Sequence, residues 1–342
     1  MKPTIGACIA AACVLAALPH LAAQGRGAPP TPCAAVTDVT LVCGQNGPED
    51  LYALPDAKWV VASSMAGAGG INLVRVSDRS STPLYPSPSA KKAYDAKTYP
   101  GCPGAPGDQG AQFRSHGLWL DPKGGATRHL YVVGHGARES IEVFTIDTKA
   151  ATPVLTWIGC AVAPDPIGLN SVVGLPDGGF IASNYSPRGD ATSNQKMTAG
   201  QNNGELWEWH ASSGWKKVPG SEASGANGLD ISDDGKWIYM AGWGSQSFVK
   251  LSRGKEPVER MEIPVGFRVD NLHRAKDGSL LAAGQGQGTS DIVKIDPKTL
   301  KVTKVLQRRD DASFRGGTVA VEVGDRLWVG SYMGDRIALL MP

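Results

Sequence analysis

Ala226-Asn227-Gly228-Leu229-Asp230-Ile231-Ser232-Asp233-Asp234-Gly235-Lys236-Trp237-Ile238-Tyr239-Met240-Ala241-Gly242 is the stretch on which the fold turns. Two short apolar runs, residues 228–232 and 237–242, flank a turn at Asp234-Gly235. The runs are aliphatic, β-branched or aromatic and far too short for a helical period, so they predict a β-hairpin.

The same unit recurs along the chain, with turns at Asp56, Lys123-Gly124, Asp177, Asp234, Asp277 and Asp325. The paired runs are 50–54 with 59–63, 117–120 with 129–134, 171–175 with 179–183, 228–232 with 237–242, 272–275 with 279–284, and 319–323 with 326–331. A further strand follows each pair: 71–76, 141–146, 205–209, 248–251, 292–295 and 336–341. Six similar β units predict an all-β, six-bladed β-propeller of four-stranded blades, with residues 36–42 closing the last blade. A two-sheet sandwich is the competing reading, but it does not need six equivalent copies.

The rest of the chain frames that reading. It has 342 residues, with 43 glycines and 24 prolines spread among many turns, and 34 Lys and Arg against 32 Asp and Glu. Its basic pairs, Lys91-Lys92 and Arg308-Arg309, are isolated, so no nucleic-acid partner is expected. Lys2, the apolar run 5–18 and Leu21-Ala22-Ala23 read as a signal peptide over 1–23, cleaved near Ala23. A lipoprotein cut at Cys8 or Cys13 would leave too short an apolar core. Residues 24–35 form a flexible segment and 36–342 one propeller domain; no later run is long enough to span a membrane. The expected product is exported, periplasmic or secreted, and monomeric. Cys33, Cys43, Cys102 and Cys160 then enter an oxidising compartment. Three pairings are open; proximity favours Cys33–Cys43, which leaves Cys102–Cys160.

Seven residues before each turn stand Glu49, His116, Asn170, Asn227, Asp270 and Thr318. Inner strands of a propeller converge on a central channel, so this register brings Glu49, Asn170, Asn227 and Asp270 to one rim, with Asn271 adjacent. Two carboxylates and three amides are hard oxygen donors of the kind Ca²⁺ takes; Zn²⁺ would require nitrogen or sulfur ligands. Any one Asn here has an ordinary alternative as a turn cap. Turn capping, however, gives no reason for ligand types to share a register across separate units. His116 lies in the same register and His135 ends its returning strand, which makes a proton-transferring pair. His129, His210 and His273 are expected to be surface or packing residues.

Gly47-Pro48-Glu49-Asp50-Leu51, His116-Gly117-Leu118, Val132-Val133-Gly134-His135, Ile141-Glu142-Val143-Phe144, Leu169-Asn170, the run 226–232 and Val269-Asp270-Asn271 resemble, in order, the paraoxonase/arylesterase branch of six-bladed calcium propellers. Gluconolactonases and regucalcin are more distant relatives of that branch. The resemblance implies a catalytic calcium on Glu49, Asn170, Asn227, Asp270 and Asn271, a His116–His135 dyad, and hydrolysis of lactones and aryl esters, small-molecule substrates of a carboxylic ester hydrolase. It also implies a second, structural calcium at Asp50 and Leu118, but Ser171 stands where that branch has Asp. The branch ties its first strand to its last by a disulfide, whereas this chain ends Leu339-Leu340-Met341-Pro342.

Segments 83–110 and 186–203 are expected to roof the channel, and Trp243, Tyr185 and Tyr332 either face it or pack between blades. Gly284-Gln285-Gly286-Gln287-Gly288 reads as a loop, and no nucleophile elbow or zinc-protease motif occurs. Two further readings stay open: a sugar lactonase of the gluconolactonase type, which needs no histidine pair, and a non-catalytic, calcium-stabilised binding propeller.

Overall fold

The computed structural model describes residues 39–108 and 112–342. The expected leader 1–23, the segment 24–35 and Cys33 lie outside the described residues. After β1 (Thr40–Val42), an antiparallel meander runs through β2 (Leu51–Ala53), β3 (Trp59–Ser63), β4 (Gly69–Arg75) and β5 (Ser81–Tyr85). The two-residue β6 (Lys91–Lys92) precedes a second meander of β7 (Phe113–Leu120), β8 (Thr127–Gly136), β9 (Ser140–Asp147) and β10 (Leu155–Val162).

Three discrete four-stranded sheets follow. The first holds β11 (Leu169–Gly174), β12 (Phe180–Asn184), β13 (Glu205–His210) and β14 (Gly214–Lys217), with the one short helix α1 (Ser193–Thr198) between its second and third strands. The next holds β15 (Ala226–Ile231), β16 (Trp237–Gly242), β17 (Ser247–Ser252) and β18 (Arg260–Pro264). The third holds β19 (Arg268–Arg274), β20 (Leu280–Gln285), β21 (Thr289–Ile295) and β22 (Val302–Arg309). The last sheet is formed by β23 (Gly317–Val323), β24 (Arg326–Ser331) and β25 (Ile337–Leu340), on whose edge β1 pairs antiparallel, Thr40 opposite Leu339. Closure by the N-terminal strand follows the expectation, without a disulfide to the chain end.

The fold is an all-β propeller with almost no helix, but it has four discrete blades, not the six expected. The first two meanders are joined, with β6, into one nine-stranded sheet. The join is a parallel bridge of Gly69-Gly70 on β4 with Phe113-Arg114 on β7. Glycine makes it possible: Gly69 has φ +75°, and a Cβ there would lie 1.9 Å from the Phe113 carbonyl oxygen. Any side chain would hold the two strands apart.

Apolar side chains fill the space between neighbouring sheets. Val173 and Ile181 of one blade pack with Leu229, Ile238, Met240, Val249 and Leu251 of the next, all buried. Tyr239, Ala241 and Phe248 in turn meet Val269, Leu272, Leu280 and Ala282. Each buried large side chain contributes roughly 1.5–3 kcal/mol, so these contacts lock the sheets in a ring.

The described residues 83–108 of the 83–110 segment line none of the cavity that holds Glu49 and His116, so they do not roof it as expected. Tyr94 stacks on Trp157, Tyr99 stacks on Trp209, and the Cys102–Cys160 disulfide fastens the segment to β10. Cys43 is disulfide-bonded as well. Among the described residues no helix is long and apolar enough to cross a membrane.

Candidate functional site

Four of the candidate side chains sit at an irregularity of an inner strand. Pairing registers shift between Ser115 and Leu118 on β7, Leu169 and Val172 on β11, Ala226 and Leu229 on β15, and Val269 and Leu272 on β19. His116, Asn170, Asn227 and Asp270 occupy these bulges, and Glu49 lies just before β2. A bulge breaks the alternation of faces and re-aims a side chain, here into the channel. The residue after two of these positions is glycine, for a steric reason. A Cβ on Gly117 would lie 2.6 Å from the Asn170 carbonyl oxygen, and one on Gly228 would lie 2.3 Å from that of Asp270. The inner strands close on one another only because these side chains are missing.

Glu49, His116, His135, Asn170, Asn227 and Asp270 line a cavity of about 620 Å³ at one mouth. Residues 185–191 together with Ser193 and Asn194 form part of its wall, as expected of the 186–203 loop, and Tyr185, Trp243 and Tyr332 all border it. Asn271 does not. It stands behind Glu49, and its amide nitrogen donates to Glu49 Oε1 at 2.7 Å, while Thr318 donates to the Glu49 carbonyl at 2.6 Å. Asp270 Oδ2 accepts from Gln285 Nε2 at 2.7 Å, and Gln285 is itself held by Trp243 Nε1 at 2.8 Å.

The histidines form the expected pair and continue into a residue that spacing alone did not mark. His116 Nδ1 and His135 Nε2 are 2.9 Å apart, and His135 Nδ1 lies 2.9 Å from Glu139 Oε1. Glu139 Oε2 also accepts the Leu169 N–H at 3.1 Å. A carboxylate only accepts, so the proton on His135 sits on Nδ1 and its Nε2 accepts from His116 Nδ1–H. The lone pair of His116 is therefore on Nε2, 3.3 Å from Glu49 Oε2. Burial holds the pKa of His116 below the ordinary imidazole value; burial does the same for His135 and outweighs the opposing pull of Glu139.

Two acceptors facing each other at that distance call for a proton or a cation between them. Glu49 Oε2, Asn170 Oδ1 and Asn227 Oδ1 are buried and make no hydrogen bond. Burial, and then the charge of Asp50, push Glu49 up to about 8; burial, and then Glu49, hold Asp270 well above the usual carboxylate range. Uncompensated negative charge and unpartnered oxygens of this kind match what a hard divalent cation takes. Among the described residues no set of three or more His, Cys, Asp or Glu side chains is arranged to hold a metal, so a cation here depends on the amide oxygens.

The residues expected to hold a second calcium are satisfied by the protein itself. Asp50 Oδ2 accepts the Leu118 N–H at 2.6 Å, and Oδ1 accepts from Leu51 N–H at 2.8 Å and lies 2.6 Å from His273 Nε2. His273 is thus no surface residue. Burial alone would depress its pKa, but the Asp50 charge prevails and raises it. Its place three residues after Asp270 on the same inner strand was the available signal. His210 pairs with Glu208 at 2.7 Å away from the channel, and His129 lies tilted against Tyr131, ring centroids 6.1 Å apart.

Fold and site together describe a propeller with a polar, histidine-bearing channel mouth. Neither a protein-family profile nor a curated protein matches the sequence. Solved structures do resemble it. A gluconolactonase from Xanthomonas campestris is similar at 15% identity, over 90% of this chain and 91% of that one, with TM-score 0.53. A luciferin-regenerating enzyme matches at 13% identity over 89% and 95%, TM-score 0.56. The PQQ-bound aldose sugar dehydrogenase from Streptomyces coelicolor matches at 16% identity over 90% and 99%, TM-score 0.53. At these identities the likeness establishes the propeller fold.

Proposed function

We propose that the chain is an exported, calcium-dependent lactone hydrolase. The observation that carries this is the Glu139–His135–His116 chain ending beside the buried oxygens of Glu49, Asn170, Asn227 and Asp270. Those four residues would hold the cation, with Asn271 bracing Glu49. Bound calcium supplies a Lewis acid for the substrate carbonyl and offsets the two carboxylates. His116 Nε2 takes the proton of a water at the mouth. His135 and Glu139 orient His116 and stabilise its charged form. Tyr185 and Trp243 offer an amphipathic wall for the ring of the substrate.

The gluconolactonase among the structural neighbours favours sugar lactones as substrates. The histidine chain favours alkyl lactones and aryl esters in the paraoxonase manner, because a sugar lactonase of the simpler type needs no such pair. The six-unit reading also belongs here: it counts the nine-stranded sheet as two blades fused at Gly69-Gly70. Export accords with the Cys102–Cys160 disulfide, which persists in oxidising compartments.

The deciding experiment is initial-rate hydrolysis of glucono-δ-lactone, γ- and δ-alkyl lactones and phenyl acetate, with calcium and after chelation. Calcium-dependent turnover of a lactone supports the proposal, and the preferred ring separates its two branches. Absence of turnover on the whole panel leaves a binding propeller.

A further inference from the structure

We propose that the opposite mouth of the channel is a second small-molecule site, which takes a neutral hydroxylated ring, a mono- or disaccharide. Three residues beyond the catalytic register, the inner strands place Tyr52, Trp119, Asp230 and His273, and these line a separate cavity of about 470 Å³ among the hairpin turns. That volume lies within the range of small-molecule sites.

The walls are built rather than incidental. Trp119 rests against bare backbone: a Cβ on Gly174 would come within 2.2 Å of its Cζ3. Tyr131 lies 5.7 Å from the indole at 54°, and Tyr52 meets the His273 ring edge-on at 5.3 Å. Trp119, Tyr52, Tyr131 and His129 line this cavity, and their side-chain polar atoms make no hydrogen bond among the described residues. They offer donors at the rim of aromatic faces.

Asp230 sets the charge of the ligand. It is buried, and its Oδ1 accepts the Ile231 N–H at 2.6 Å. Its Oδ2, itself buried, is ion-paired with Arg274 at 3.2 Å, and Arg274 also donates to the carbonyls of Ile231 and Gly278. An anion would find the guanidinium committed, and an organic cation would meet it beside the carboxylate oxygen it needs. Because Asp230 and Arg274 neutralise each other, a neutral hydroxylated ligand meets this wall at no cost in charge and can bond the unpartnered groups of Tyr52, Trp119 and Tyr131. Sugar rings combine such hydroxyls with apolar faces that lie on indole and phenol.

The test is calorimetric titration of the full chain with D-glucose, D-galactose and maltose, together with hydroxyl-radical footprinting read by mass spectrometry. We expect one saccharide to bind saturably at a single site and to protect Trp119 and Tyr52, leaving Trp243 unprotected. Trp119→Phe and Asp230→Asn are expected to weaken binding by about tenfold or more, and Trp243→Phe to leave it unchanged. Protection of Trp243 in place of Trp119, or no saturation by any probe into the tens of millimolar, overturns the proposal. The footprint is read on the native chain, so the answer does not depend on a variant folding. It is also independent of whether any lactone is hydrolysed.

Discussion

Glu139 completes a proton path whose first two members, His116 and His135, are visible as a register and its return. It was not legible because its turn carries no periodic signal; only the fold brings it within reach of His135 Nδ1. In the proposed mechanism its part is to fix a tautomer, while His116 meets the water. His116→Gln is therefore expected to lower kcat by roughly 10²–10⁴-fold. Glu139→Gln is expected to cost about 10–100-fold in kcat with KM little changed. Equal losses in both variants would remove the distinction. Burial depresses both imidazoles, so the base stays neutral below the usual value of about 6.5. The acid limb of kcat/KM is accordingly expected below pH 6.5, and a limb above it would contradict a buried histidine base.

At the scale of the strand, the bulges on β7, β11, β15 and β19 decide which residues face the channel. Seven-residue spacing located those residues, but hairpin patterning cannot show a bulge, because β11 and β15 are buried on both faces and their apolar runs carry no alternation for the extra residue to break. The glycines behind them are as necessary as the ligands. Gly228→Ala would drive a Cβ into the Asp270 carbonyl at 2.3 Å and is expected to cost about 1–3 kcal/mol in denaturant unfolding. Gly125→Ala, with nothing within 4 Å, is the control and is expected to change stability by less than about 0.5 kcal/mol. The Cys102–Cys160 bond pins the 83–110 segment, so replacing both cysteines by serine is expected to remove roughly 2–4 kcal/mol, read as a lower denaturant midpoint.

For the whole molecule, the ring gathers charge that no single strand would tolerate. Glu49 and Asp270 come from segments far apart in sequence and share one buried mouth; burial raises the pKa of both, and a neighbouring carboxylate, Asp50 for Glu49 and Glu49 for Asp270, raises each further. Calcium that binds only the folded ring stabilises it by about 2.7 kcal/mol at a hundredfold excess over Kd. A calcium-dependent rise in Tm, reversed by chelation and absent in Asp270→Asn, is the expected result. An unchanged Tm would remove the cation from the site.

The sequence by itself determined the β architecture, the repeat, the hairpins and the register that holds the candidate ligands, because strand alternation and turn chemistry are local. It also favoured the Cys102–Cys160 pairing among three open ones, and it carried the N-terminal closing strand. The tertiary structure alone decided that the first two units fuse into one sheet, that Asn271 braces Glu49, that His273 pairs with Asp50, and that Glu139 and Gln285 support the site. Each of these depends on a contact between inner strands distant in sequence, set by how closely glycine lets backbones approach, and no one-dimensional pattern records that distance.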